Sequence, residues 1–582
     1  MGKSLRFGSI GIVIAVLVGA CGQGEREPNA GSSATKAAVA EATDVIVQEN
    51  PEDIAIDAGD EAVLVDSWLV EVEESVSLEE VQHIGARVLQ GEVDVEPLFP
   101  DTPDLQGMYI VHAQQSFPEL QAREIGYALL DDPKIAQAVP NYPDHEPDTE
   151  RTATAACLTD DNSGQPNEND WSLVTIHASE AWALTPPPGG KQQGEGVTIC
   201  HPDSGYSLHT ELDEEALDKA NAIDLIDKSG NGMDPLNYSG NVGHGTATGS
   251  VLISRGGVSP LGDTIPPGGV QGVAPKATII PIRTLKRVAL FLDSDVAKAV
   301  NYARGKNCDV LSMSLGGAGF FGLEKAIRLA VEKQNKIIVA AAGNCVGFVV
   351  APAKYASTIA VAASNIANEP WEGSSKGRTV TITAPGEDVW IARRKRNDAR
   401  INVTEPSDGT SFATATTAAA AANWIAFHGR SSLDVARGNH SMTELFGFAL
   451  KHAVNTPPGW DTSRYGPGIL DLKKLLEVDV TAFPKDQPRA ADQPPSALTN
   501  LARTIDRSPA QTRDVLKHLF GDADPENMAA RYGSELERLA TTRPVVIEEI
   551  LDQVDQRAPR SAITSSVSDE FSANLRNAVV QP

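Results

Sequence analysis

Behind Lys3 and Arg6 the chain opens with a charge-free run from Phe7 to Val18, followed by Gly19, Ala20 and Cys21. At about 1.5 Å per residue that run spans about 18 Å as a helix, short of the ~30 Å hydrocarbon core, so an export signal over residues 1–21 is expected rather than a permanent membrane span. Large apolar residues are then scarce to about Asp60, which predicts a tether over 22–60 that cannot bury a core. Apolar, β-branched positions from Val63 to Val72 predict a strand, and Leu78, Val81, Ile84 and Val88 recur at helical steps of three and four. Met108 to Val111 predicts a second strand, Leu120 to Leu130 a helix, and Ile135 to Val139 a strand closed by Pro140. Together they predict a β-α-β-α-β unit within residues 61–145.

Residues 146–170, dense in Asp, Asn, Pro and Thr, predict a linker open to proteolysis. Across 171–480 the pattern changes: short continuous apolar runs (Val197 to Cys200, Thr278 to Ile282, Val310 to Met313, Ile337 to Ala341) alternate with helical stretches. That is the signature of an α/β domain doubly wound about a parallel sheet with both faces covered. Pro484, Pro488, Pro494 and Pro495 mark a further linker, and residues 481–582 predict a helical C-terminal extension without recognisable chemistry.

Composition narrows the function classes. The 582 residues, at ~150 per domain, suit three or four structural units. With 41% hydrophobic and 22% charged residues, wholesale disorder and a multi-span membrane protein are excluded. A net charge of −29 opposes sequence-independent binding to phosphate backbones, so nucleic acid is not an expected partner. Export would place Cys157, Cys200, Cys308 and Cys345 in an oxidising compartment, where pairing is the default and three connectivities are open. Their spacing, without a Cys-x-x-Cys pair, argues against a structural zinc site.

Three distant segments place a polar side chain beside glycine at a strand end or helix start. They are Cys200-His201-Pro202-Asp203-Ser204-Gly205, Gly243-His244-Gly245-Thr246 and Gly409-Thr410-Ser411-Phe412-Ala413. Each alone is a turn or an N-cap, but in the order Asp, His, Ser they form a nucleophilic triad arrangement. With Gly272-Val273-Ala274-Pro275, Asp309 to Gly317, Ala340 to Asn344, Tyr355 to Ala363 and Ala384-Pro385-Gly386, the stretch from Trp171 to Leu475 resembles the subtilisin-like serine proteases.

The resemblance implies a serine endopeptidase with Ser411 as nucleophile, His244 as general base and then acid, and Asp203 orienting the imidazole. It further implies Asn344 as oxyanion donor beside the Ser411 backbone N–H. Ser314, Leu315 and Gly316 would pair with substrate backbone, and Ala342 and Gly343 would form the opposite pocket wall. No acidic residue lies near Val349-Val350, where the pocket floor would fall, so a small or medium apolar side chain is the expected preference. No cofactor is required for this chemistry. Of the family's calcium sites none is assignable; Glu211 falls where a ligand carboxylate often sits and is expected instead to be a lone surface residue.

Two departures stand out: Ala415 replaces the proline usual four residues after the nucleophile, and the basic run Arg393 to Arg396 is expected in a surface hairpin. By the same resemblance the 61–145 unit is a ferredoxin-like propeptide, an inhibitor of its own enzyme until cleaved. The residues ending in Cys21 resemble the lipobox of bacterial lipoproteins; the alternative is an ordinary export signal with a chance cysteine. The expected location is the bacterial periplasm or cell envelope, lipid-anchored through Cys21 before maturation, or secreted. The expected partners are a peptide or protein substrate and the chain's own propeptide. A rival of another class is a catalytically silent scaffold of the same fold that binds peptides or regulates.

Overall fold

The computed structural model describes residues 63–143 (except 74), 168–256 (except 239–240), 269–286, 288, 294–486 (except 396–397), 495–559 and 570–580. The expected signal, Cys21, the tether, Cys157 and most of the first linker lie outside them. Residues 61–582 form one compact unit.

Its N-terminal part runs β1 (Leu64–Val72), α1 (Leu78–Leu89), β2 (Val93–Pro97), β3 (Met108–Pro118), α2 (Glu119–Leu130) and β4 (Ile135–Pro140). The sheet order is β2-β3-β1-β4 with antiparallel pairing throughout. This adds a strand to the expected β-α-β-α-β pattern. β2 is only Val-Asp-Val-Glu-Pro, burying Val93 and Val95, and so short an alternation is hard to tell from a loop. α1 starts where Ser77 and Glu80 cap each other reciprocally. Trp68 of β1 is fully buried and donates its indole N–H to the Ala122 carbonyl at 2.8 Å, fastening α2 to the sheet.

The large domain begins with two short helices, α3 (Trp171–Thr175) and α4 (Ala178–Ala183). Among the described residues its sheet has nine strands: β5 (Thr198–Asp203), β6 (Ile223–Asp224), β7 (Thr278–Arg283), β8 (Val310–Met313), β9 (Ile337–Ala341), β10 (Ile359–Ser364), β11 (Ile382–Pro385), β14 (Val454–Asn455) and β15 (Ile469–Leu470). The order is β14-β15-β11-β10-β9-β8-β5-β7-β6, parallel except where β14 meets β15. The separate hairpin β12 (Val389–Lys395) and β13 (Asp398–Ser407) carries the start of the basic run, with Arg393 paired to Glu405. Alternate residues of one strand serve opposite cores. Ile199, Val310 and Val339 pack with α5 (His244–Ile253) and α8 (Thr410–His428), while Cys200, Leu311 and Ile338 pack with α6 (Ser294–Arg304) and α7 (Phe321–Gln334). Leu98 and Met108 of the N-terminal part join this second core, so that part rests on α6 and α7. Chain order reverses between β5 and β8, making the carboxyl end of β5 the switch point where open α/β sheets bind ligands.

Cys200 and Cys308 form a disulfide with Cα atoms 5.7 Å apart, and Cys345 is also disulfide-bonded. Glu211 departs from expectation. It is buried, and its Oε2 accepts hydrogen bonds from Ser254 Oγ (2.9 Å) and Val270 N–H (3.1 Å), so neighbours distant in sequence satisfy a charge that looks like a surface residue. At the end of β7, fully buried Arg283 donates Nη1 to both oxygens of Asp224 (2.9 and 2.8 Å) and to Asp227 (2.7 Å). Removing Asp224 leaves the buried Arg283 with the half-exposed Asp227 as its carboxylate partner. Asp224→Ala is therefore expected to destabilise the fold by about 3–5 kcal/mol, and Asp227→Ala, at a half-exposed carboxylate, by under about 1 kcal/mol. Equal denaturant midpoints for the two variants would show that Asp224 is not the anchor.

α9 (Arg430–Arg437), α10 (Met442–His452) and α11 (Leu472–Glu477) complete this domain. The C-terminal helices follow: α12 (Ala497–Thr504), α13 (Pro509–Phe520), α14 (Pro525–Thr542), α15 (Pro544–Asp555) and α16 (Ala573–Val580). Ser508 and Asp524 cap α13 and α14, each with proline at the first helical position. Their core, including Leu516, Leu536 and Leu539, also takes in Phe348 of the large domain and Tyr127 of the N-terminal part.

Candidate active site

Asp203 ends β5 at the switch point and is almost completely buried. Its Oδ1 lies 2.8 Å from His244 Nδ1 and accepts the Ser204 N–H at 2.7 Å. Its Oδ2 accepts the Thr248 hydroxyl at 3.1 Å and lies 3.5 Å from His201 Nε2. Burial pushes the Asp203 carboxyl up, but the His244 charge and the hydrogen bonds from both histidines outweigh it and hold the group well below the usual carboxylate range.

His244 opens α5. The start of that helix must come close to the β5 end, and a Cβ on Gly245 would collide with the Gly205 carbonyl, so glycine is required there. A brace fixes the approach: Asp234 Oδ2 accepts from Ser204 Oγ (3.0 Å), Tyr238 Oη (2.9 Å) and the Gly243 N–H (2.9 Å), while Ser204 Oγ accepts the Gly245 N–H (3.0 Å).

Ser411 lies in the first turn of α8, whose alanine-rich body is buried and lets the helix approach the sheet closely. The Ser411 hydroxyl donates to the Ser314 carbonyl at 3.3 Å rather than to His244, and Ser314 Oγ donates back to the Ser411 carbonyl at 2.8 Å. Asn344 Oδ1 accepts from Thr410 N–H (3.0 Å) and Thr410 Oγ1 (2.7 Å), which orients its amide. Asn344 Nδ2 and the Ser411 backbone nitrogen lie 3.5 and 3.6 Å from the point a Cβ on Gly409 would occupy, so two N–H donors flank one small volume. α8 runs unbroken through Ala415, which is buried.

Of the expected substrate-contacting residues, Ser314 and Gly343 adjoin this cluster; the Gly343 N–H donates to Thr410 Oγ1 at 3.3 Å. Leu315 is buried, and the Gly316 N–H donates to the Val288 carbonyl at 3.2 Å. Ala342 bonds within the fold, its N–H to Val361 and its carbonyl to the Val350 N–H, both at 2.9 Å. Val350 fills the gap between the walls: a Cβ on Gly316 would collide with it, and one on Gly343 would lie 3.1 Å from both of its methyls.

Sequence reasoning missed four residues of this cluster: His201, Thr248, Asp234 and Thr410. Two carried a signal, since His201 is two residues before Asp203 on one face of a strand and Thr248 is four after His244 on one face of a helix. Among the described residues no His, Cys, Asp and Glu side chains group as a metal site would require, and no helix is long and apolar enough to cross a membrane.

The family model described as the subtilase family matches residues 194–443. Thermitase of Thermoactinomyces vulgaris is 30% identical over 263 residues, which is 45% of this chain and 83% of that protein. Subtilisin E of Bacillus subtilis is 28% identical over 289 residues, 47% of this chain and 71% of that one. Among solved structures, a protease of Pseudoalteromonas arctica overlays 54% of this chain and 98% of its own at 22% identity and a TM-score of 0.44. On the family match and the extent of the likeness to thermitase, the chain belongs to the subtilase family and is a serine endopeptidase.

Proposed function

We propose that this protease works through Asp203, His244 and Ser411, is exported, and is made as a zymogen whose N-terminal part is its propeptide. The observation that carries the assignment is the 2.8 Å contact between His244 and a buried carboxylate, with the His244 ring 6.4 Å from that of Phe412, the residue after Ser411 at the start of α8. Serine is a poor nucleophile until a base takes its proton, so the hydroxyl must turn from Ser314 to His244 as the substrate carbonyl is attacked. The resulting oxyanion is received by Asn344 Nδ2 and the Ser411 N–H. His244 then returns the proton to the leaving amine, while Asp203 supports the imidazolium. A fluorophosphonate probe with peptide mapping tests this: labelling is expected at Ser411 and nowhere in Ser411→Ala. A folded, processed chain that takes no label would favour the silent scaffold.

The proposed first cut falls between about Asn141 and Asn169 and is made in cis, before the core at Trp171. Export and a lipid on Cys21 complete the proposal; the cut would leave the lipid on the propeptide side.

With Val350 between Gly316 and Gly343, the side chain preceding the scissile bond has little room. Small residues are the expected preference. Val350→Gly is expected to raise kcat/KM for a phenylalanyl over an alanyl substrate by about 10–100-fold, the range a few methylenes govern in an apolar pocket. An unchanged ratio would show that Val350 does not limit the pocket.

A further inference from the structure

α14 presents two polar sets to two different parts of the chain. On one side Glu537 Oε2 takes the buried Lys354 Nζ of the large domain at 2.5 Å, and Lys354 also donates to Thr504 Oγ1 of α12 at 2.8 Å. On the other side Glu535 and Arg538, three residues apart and both buried, meet α2 and the segment after β4. Glu535 accepts Tyr127 Oη (2.6 Å) and Arg123 Nη1 (3.3 Å) from the N-terminal part, and the Ser572 N–H and Oγ (both 2.8 Å) from the start of α16. Arg538 Nε donates to Glu119 at 2.9 Å, and its guanidinium lies 3.6 Å over the ring of Tyr142. Arg531 adds an exposed pair to Asp131 at 2.9 Å.

From this we infer that the C-terminal helices are a clamp for the N-terminal part, holding it on the peptidase domain after the chain between them is cut. The partner surface is α2 with Tyr142, recognised by one carboxylate and one guanidinium of α14; the functional sense rests on reading the N-terminal part as a propeptide. Two features favour a clamp over incidental packing. Arg123, Glu535 and Arg538 are buried charges that meet, with the half-buried Glu119, at a single junction, which is tolerable only while their partners are present. Tyr142 lies two residues beyond β4, at the start of the stretch proposed to be cut, so Arg538 grips the propeptide beside that cut, where a freed end would otherwise peel away. Burial pushes Glu119 up, but Arg538 and Arg123 outweigh it and hold the carboxyl down to about 2. Depressed in this way, it keeps its charge in mildly acidic conditions.

The test uses the full chain carrying Ser411→Ala, with a recognition sequence for a site-specific protease placed between Pro143 and Cys157. After cutting, dissociation of the N-terminal fragment is timed by size-exclusion chromatography. Glu535→Ala and Arg538→Met are expected to speed release by about 100-fold or more. Tyr127→Phe, which deletes one hydroxyl and keeps the packing, is expected to speed it by about 10-fold. Release at the parental rate in Tyr127→Phe and in whichever of the other two folds would overturn the clamp. A parallel series with Ser411 intact separates this from the function above. There the same variants are expected to shorten the lag between self-cleavage and peptide hydrolysis. A chain that never hydrolyses peptide, yet shows the release rates expected above, would overturn the protease reading and leave the clamp standing.

Discussion

Ser411→Ala is expected to lower kcat by about 10⁶ with little change in KM, a magnitude carried over from subtilisin itself. The substitution removes the attacking oxygen but leaves the Asn344 amide and the residue-411 backbone N–H in place. Residual catalysis of about 10³–10⁴ over the uncatalysed reaction should therefore persist. The structural disturbance is small, because the lost hydroxyl makes one 3.3 Å hydrogen bond to the Ser314 carbonyl. Circular dichroism and the melting midpoint should match wild type. The same variant should leave the stretch from about Asn141 to Asn169 uncut, since a first cut in cis draws its speed from effective concentration and has no substitute once the nucleophile is gone. Fragment masses followed over time in purified protein provide the check. Self-cleavage at the wild-type rate, or more than a hundredth of wild-type kcat, would remove Ser411 from the nucleophile's role.

The large domain was legible because parallel strands buried on both faces leave uninterrupted apolar runs, and the Asp203 and His244 segments because each holds a glycine, Gly205 or Gly245, with no room for a side chain. Gly245 is the clearest case, since any side chain there meets the Gly205 carbonyl. What stayed hidden depends on partners far off in sequence. β2, β14 and β15 have five, two and two residues, too few for a period to show. Glu211 looks like a surface charge in the sequence because nothing local marks Ser254 and Val270 as its partners. Asp234 stands 30 residues from Ser204, the group it braces. The C-terminal helices announce themselves through Ser508-Pro509 and Asp524-Pro525. Their docking does not, because nothing near Glu535 and Arg538 in sequence marks Arg123, Tyr127 and Glu119 as the groups they meet.

Asp203→Ala should cost about 3 × 10⁴ in kcat, again a figure measured in subtilisin, while Asp203→Asn should cost distinctly less, on the order of 10²–10³. The difference follows from the two ends of the carboxylate. Oδ1 faces two groups that act as donors, the Ser204 N–H and the His244 Nδ1–H that catalysis requires. An amide NH₂ there would oppose the first and force His244 into the tautomer that cannot accept the serine proton. Oδ2 faces Thr248 Oγ1 and His201 Nε2, and both can turn acceptor: the hydroxyl already has the His244 carbonyl within 3.1 Å as an alternative target, and a neutral imidazole has one unprotonated nitrogen. The side-chain amide of the Asp203→Asn variant should therefore place its NH₂ at the Oδ2 side and keep a carbonyl on His244, preserving the tautomer and losing only the charge that steadies the imidazolium. His201 and Thr248 thereby acquire a measurable role. In a chain carrying His201→Val and Thr248→Val the amide loses its acceptors, and Asp203→Asn should fall to the level of Asp203→Ala or below. Steady-state kinetics on one peptide substrate decide the matter. Asp203→Asn that is already as slow as Asp203→Ala in the otherwise native chain would mean that the amide faces His244 and that His201 and Thr248 do not orient residue 203.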